Sequence, residues 1–96
     1  MNVVSIEGRV TVDTSGDMRR TLRNVLRSKP AKMTVDLTKV SYIDSSGLAT
    51  LLEAVRTARK QNTRLILRGI QGQPQYFFEI TGLNHLFEIE AGETGA

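Results

Sequence analysis

Between Met33 and Arg68 the chain reads as strand, helix and strand in succession, and that order constrains the fold more than any other feature. Met33 to Leu37, MTVDL, is a short strand pattern. Leu48, Leu51, Leu52 and Val55 then fall at i, i+3, i+4 and i+7, with Ala58 extending the stripe, which is the spacing of an amphipathic helix. Arg64 to Arg68 encloses the apolar run Leu65-Ile66-Leu67 and gives the second strand. Strands joined through a helix of this length pair in parallel, and such crossovers are nearly always right-handed. Lys39 to Ile43 is expected as a connector that carries Val40, Tyr42 and Ile43.

The flanking segments extend the same alternation. Val3 to Val12 is rich in β-branched residues and reads as a strand interrupted near Gly8. Thr14, Ser15 and Asp17 are candidate caps for a helix running to about Ser28, with Met18, Leu22, Val25 and Leu26 on one stripe. Pro30 ends it. Pro74 suits the first turn of a third helix, with Tyr76, Phe77 and Ile80 as its apolar side, Tyr76, Phe77 and Phe78 as core or near-core contacts, and Gly82 as its stop. Leu86, Phe87 and Ile89 form a last apolar segment, and AGETGA at 91–96 reads as a flexible tail. The expected fold is a single α/β domain over residues 1–90: a mixed, mostly parallel sheet of about four strands with helices packed on it.

Composition narrows the chemistry. A chain of 96 residues fits one domain. It contains no cysteine, which excludes disulfides, thiolate metal sites and cysteine nucleophiles. Its one histidine, His85, has no partner at ligand spacing, so neither a metal nor another cofactor is expected. No apolar run approaches the roughly 20 residues a membrane-crossing helix needs, and the N-terminus lacks an export pattern. The expected location is the cytoplasm, without membrane insertion, and the expected state is a monomer. The net charge of +3 is spread over Arg19, Arg20, Arg23, Arg27, Arg56, Arg59 and Lys60 without a recognition motif, so direct nucleic-acid binding is not expected. Glu53 and Arg56 are spaced as a surface pair.

The segment that carries chemistry is Asp44-Ser45-Ser46-Gly47, where the clearest helix begins. First-turn N–H groups lack internal partners and carry partial positive charge, so an anion is tolerated there. A phosphate on Ser45 would change the sign of the surface without breaking the fold. The plain alternative is that Asp44 or Ser45 merely caps the helix. Glycine in a helix is unfavourable by about 1 kcal/mol relative to alanine, so Gly47 suggests a need for space. A serine nucleophile would need a positioned base, and the motif is not Gly-x-Ser-x-Gly, so the chain does not read as an enzyme.

The stretch Val35 to Ala49, VDLTKVSYIDSSGLA, resembles the signature of STAS domains, particularly bacterial anti-sigma-factor antagonists. Gly8 with Val10, Thr81-Gly82-Leu83 and Leu86-Phe87-Glu88-Ile89 are similar to further parts of that family. The resemblance implies a STAS-like domain that binds an anti-sigma factor which is also a serine kinase, and so releases the sigma factor. It implies Ser45 as the phosphorylation site, a phosphatase that resets it, and Asp44, Ser45, Ser46 and Gly47 as the partner-binding loop. Thr11, Asp13 and Arg56 are candidates for the surrounding partner surface. Many antagonists carry an acid where this chain has Thr11. That departure fits a second branch, STAS accessory subunits of phospholipid-transport ABC systems, which bind the ATPase subunit.

Overall fold

The computed structural model describes residues 2–90. The expected tail at 91–96 lies outside them. The elements alternate: β1 (Asn2–Val10), α1 (Ser15–Arg27), β2 (Lys32–Ile43), α2 (Ser45–Lys60), β3 (Arg64–Arg68), α3 (Gly72–Thr81), a 3-10 turn (Leu83–Leu86) and β4 (Glu88–Ile89). The strands form one sheet in the order β1-β2-β3-β4. All three pairings are parallel, so the antiparallel component of the expected mixed sheet is not found among the described residues. Each crossover steps the same way along the sheet. Right-handed connections therefore lay the three helices against one face.

The core lies between that face and the helices. Val4, Ile6 and Val10 of β1 join Met33, Val35, Leu37, Val40 and Ile43 of β2 and Leu65 and Leu67 of β3. Met18, Leu22 and Leu26 of α1, Leu48, Leu51, Ala54, Val55 and Ala58 of α2, and Phe78 of α3 complete it. Among the described residues no helix covers the opposite face. There Arg68 pairs with Asp36 at 3.1 Å and Arg64 with Glu88, across neighbouring strands.

Five local expectations are corrected. The connector Lys39–Ile43 is strand: β2 runs from Lys32 to Ile43 and stays paired with β1 to its end. Two register shifts, between Ser5 and Glu7 and between Gly8 and Arg9, each place an extra β2 residue against β1. Such bulges break the alternation that marks a strand in sequence. The first strand stops at Val10, not Val12, because residues 11–14 fold into a turn. In it Thr14 Oγ1 donates to the Arg9 carbonyl at 2.8 Å and accepts from Thr11 N–H at 2.9 Å. Thr14 occupies the N-cap position of α1, but its side chain is spent in that turn and does not cap.

The third helix turns a different face inward. Its buried residues are Pro74 and Phe78, with Phe78 against Phe87 at a ring-centroid distance of 5.3 Å. Phe77 is half-buried, whereas Tyr76 and Ile80 are 63% and 60% exposed. Finally, Glu53 does not pair with Arg56. It accepts from Arg19 at 3.1 Å and from Arg23, because α2 packs beside α1 and Glu53 lies on the facing side.

Candidate functional site

The start of α2 is set by contacts on both sides of it. Asp44 is the N-cap, with extended backbone angles. One carboxylate oxygen accepts from the Ser46 N–H at 2.9 Å, the Gly47 N–H at 3.1 Å and the Ser46 hydroxyl at 2.6 Å. The Asp44 N–H in turn donates to the Val10 carbonyl at 3.1 Å, fixing the loop to the end of β1. The buried Thr50 donates to the Ser46 carbonyl at 3.0 Å and accepts from Arg19 at 3.3 Å, which ties the first turn to α1.

Of the two residues considered as caps, Asp44 takes the role, and Ser45 is left as the first helical residue. Its side chain is exposed and has no hydrogen-bond partner among the described residues. Ser46 is committed to Asp44. The two serines are therefore chemically unequal: one hydroxyl is engaged inside the cap, and the other faces solvent at a helix start.

Gly47 is required by space. A Cβ there would sit 2.6 Å from Val10 Cγ1 and 2.7 Å from Ile43 Cγ1. The helix start thus rests directly on the ends of β1 and β2, which brings the 11–14 turn beside the serine loop. Thr11 is half-buried and accepts from the Asp13 N–H at 3.3 Å, and Asp13 is exposed. Arg56 is exposed farther along α2. At about 3.6 residues per turn it returns to the Ser45 side of the helix roughly three turns on. Sequence reading passed over Val12, which is 73% exposed next to this loop. An isolated valine in a turn carries no signal. It also passed over Gln73, whose role depends on contacts remote in sequence.

The Asp44 carboxyl is held below the usual aspartate range. The Ser46 hydroxyl is the main cause, with the backbone N–H groups of Gly47, Ser46 and Val12 adding to it and partial desolvation opposing. A carboxyl depressed in the folded state contributes stability above its unfolded pKa and loses it as pH falls through the folded value. Amide protection at Ser46 and Gly47 should therefore be flat above about pH 5 and decline below about pH 4. Asp44→Asn, which still caps, should flatten that decline in an NMR exchange series. An unchanged decline in the variant would assign the effect to Asp36, Glu53 or Glu88, which are also held low by their partners.

Among the described residues there is no cluster of side chains suited to a metal and no helix long and apolar enough to cross a membrane. A family model described as "Mlab, STAS domain" matches residues 2–88. The chain belongs to the STAS-domain family. Within it, an anti-sigma-B factor antagonist from Listeria monocytogenes is 30% identical over 87 residues, spanning 91% of this chain and 76% of that protein. Two solved structures share the fold. An anti-sigma factor antagonist from Mycobacterium paratuberculosis has a TM-score of 0.79 at 22% identity, covering 95% of this chain and 77% of that one. A sulfate transporter family protein from Wolinella succinogenes has a TM-score of 0.78 at 19% identity, covering 92% and 74%. This STAS chain is thus similar, at modest identity, to anti-sigma factor antagonists.

Proposed function

We propose that this STAS domain is a cytoplasmic, phosphorylation-controlled antagonist of an anti-sigma factor. It is a binding switch and not a catalyst. The exposed Ser45 hydroxyl at the start of α2, beside a neighbour already spent on the cap, is the observation that carries this reading. In the unmodified state Asp44, Ser45, Ser46 and Gly47 dock an anti-sigma factor that is also a serine kinase, with Thr11, Asp13 and Arg56 around them. Transfer of a phosphoryl group to Ser45 ends the contact, and a phosphatase restores it.

The cap explains how the switch would act. Asp44 already occupies the N–H groups of Ser46 and Gly47. A phosphate on Ser45 adds about −1.5 to −2 charge beside that carboxylate and finds those donors taken. It stays on the outer surface, where a partner meets it. The fold need not rearrange, and affinity falls through like-charge repulsion and desolvation.

The test is capture of the partner kinase by wild-type, Ser45→Ala and Ser45→Asp proteins, with incorporation of phosphate from ATP. Capture by the first two, at least about tenfold weaker capture by the third, and a single phosphoserine at Ser45 are expected. Equal capture by all three, or undiminished phosphorylation of Ser45→Ala, rejects the switch. Thr11 favours a second reading, an accessory subunit of a phospholipid-transport ABC system. Recovery of a transporter ATPase in place of a kinase would select it.

A further inference from the structure

Strand β2 outruns its neighbour on one side. Strand β3 ends at Arg68, paired with Asp36, while β2 continues to Ile43. Pairing with β2 stops at Arg68, and the next residue, Gly69, has a φ of 77° and lies so close to Thr38 that a Cβ would meet its Oγ1 at 2.1 Å. The β3-facing edge of β2 from Thr38 to Ile43 therefore has backbone groups with no strand among the described residues to receive them. Successive residues of a strand direct these groups to opposite sides. Asp44 directs its N–H to β1, so Ile43 directs its own to the vacated side.

Two side chains from the start of α3 take the place of the missing strand. Gln71 Nε2 donates to the Thr38 carbonyl at 3.0 Å. Gln73 does more. It accepts from the Ile43 N–H at 2.8 Å and donates to the Ile43 carbonyl at 3.0 Å. One amide thus makes both bonds that a paired strand would make. Ile43 is 1% exposed, so these backbone groups have little water as an alternative partner. The residue clamped in this way immediately precedes Asp44, and its side chain is one of the two supports beneath Gly47.

We infer that Gln73 is the positioning residue of the Ser45 helix start. It holds Ile43 from the side opposite β1, so the cap and the exposed serine occupy one fixed place, and it makes the position of α3 a determinant of the loop. Its consequence for phosphorylation rests on the reading of Ser45 given above. Its consequence for the helix start does not.

The experiment compares Gln73→Met and Gln73→Glu with Gln71→Ala, a control that removes a hydrogen bond from the same edge. Gln73→Met keeps the length and loses the amide. It should lower exchange protection at Ile43, Ser46 and Gly47 by about tenfold, the scale of one or two net hydrogen bonds. Gln71→Ala should leave these amides within about twofold of wild type, since it acts at Thr38. In Gln73→Glu the ionised carboxylate accepts from Ile43 N–H but cannot donate to Ile43 C=O. Protonation restores the donor, so protection at Ile43 should recover as pH falls through about 5, above the range where Asp44 is affected. Packing alone produces no such acid rescue. Loss spread evenly over the chain, equal loss in the control, or no recovery in acid overturns the assignment. Transfer of phosphate to Ser45 should fall about fivefold in Gln73→Met, in line with the weakened clamp. A wild-type protein that accepts no phosphate would remove the regulatory reading, and the amide data would still decide the role of Gln73.

Discussion

Gly47→Val is expected to destabilise the protein by about 3 kcal/mol, the upper range for overpacking a closed core. The new Cβ would fall 2.6 Å from Val10 Cγ1 and 2.7 Å from Ile43 Cγ1, both on buried strand residues. β-Branched side chains are stiff at χ1, so neither Cγ1 atom swings away cheaply. Gly47→Ala should cost less. Its contact penalty of about 1–3 kcal/mol is offset by roughly 1 kcal/mol of helix propensity. Urea unfolding with an unchanged slope is the measurement. Val10→Ala in the Gly47→Ala background should recover part of the loss, because the two changes share one contact. Additive losses would show that the clash is relieved elsewhere. The functional effect should exceed the thermodynamic one, since the displaced strand ends also carry the Val10 carbonyl that holds Asp44.

Phe78→Ala should cost about 3–5 kcal/mol, as expected for a fully buried aromatic. Phe78 is 1% exposed and packs on Phe87, so it fastens α3 and the approach to β4 in one contact. Domains of this size have a total stability of about 5–15 kcal/mol, so the variant should melt well below wild type. Tyr76→Ala and Ile80→Ala on the outer side of the same helix should change stability by no more than about 0.5 kcal/mol. Comparable losses from Tyr76 or Ile80 would mean that the outer side of α3 is covered in solution. Because α3 carries Gln73, Phe78→Ala should also loosen Ile43 before the chain unfolds.

The serine loop was legible in sequence because its determinants are local. A capping aspartate, a helical stripe beginning at Leu48 and a glycine in the first turn lie within a few residues of one another, and the structure arranges them as that pattern implies. The parallel β2-α2-β3 unit was legible for the same reason. The length of β2 was not. Its two extra residues against β1 destroy the alternation on which strand recognition depends, and only the partner strand reveals the pairing. The inward face of α3 was illegible too. Phe77 and Ile80 are as apolar as Phe78, and Tyr76 differs from it only by a hydroxyl, so composition cannot choose among them. The choice is made by the Gln73 bonds to Ile43 and by Phe87, both remote in sequence. Glu53 has the same explanation, since a neighbour on its own helix lost to two arginines on another.

The helix-free side of the sheet has a practical use. Ser5 is exposed, and its register neighbours Asp36 and Arg68 are bound to each other. None of the residues proposed for docking lies on that side. The chain also has no native cysteine. A single thiol introduced at Ser5 would therefore be a unique attachment point. A dye or surface tether placed there reports association from behind, leaving the serine loop free to meet whatever binds it.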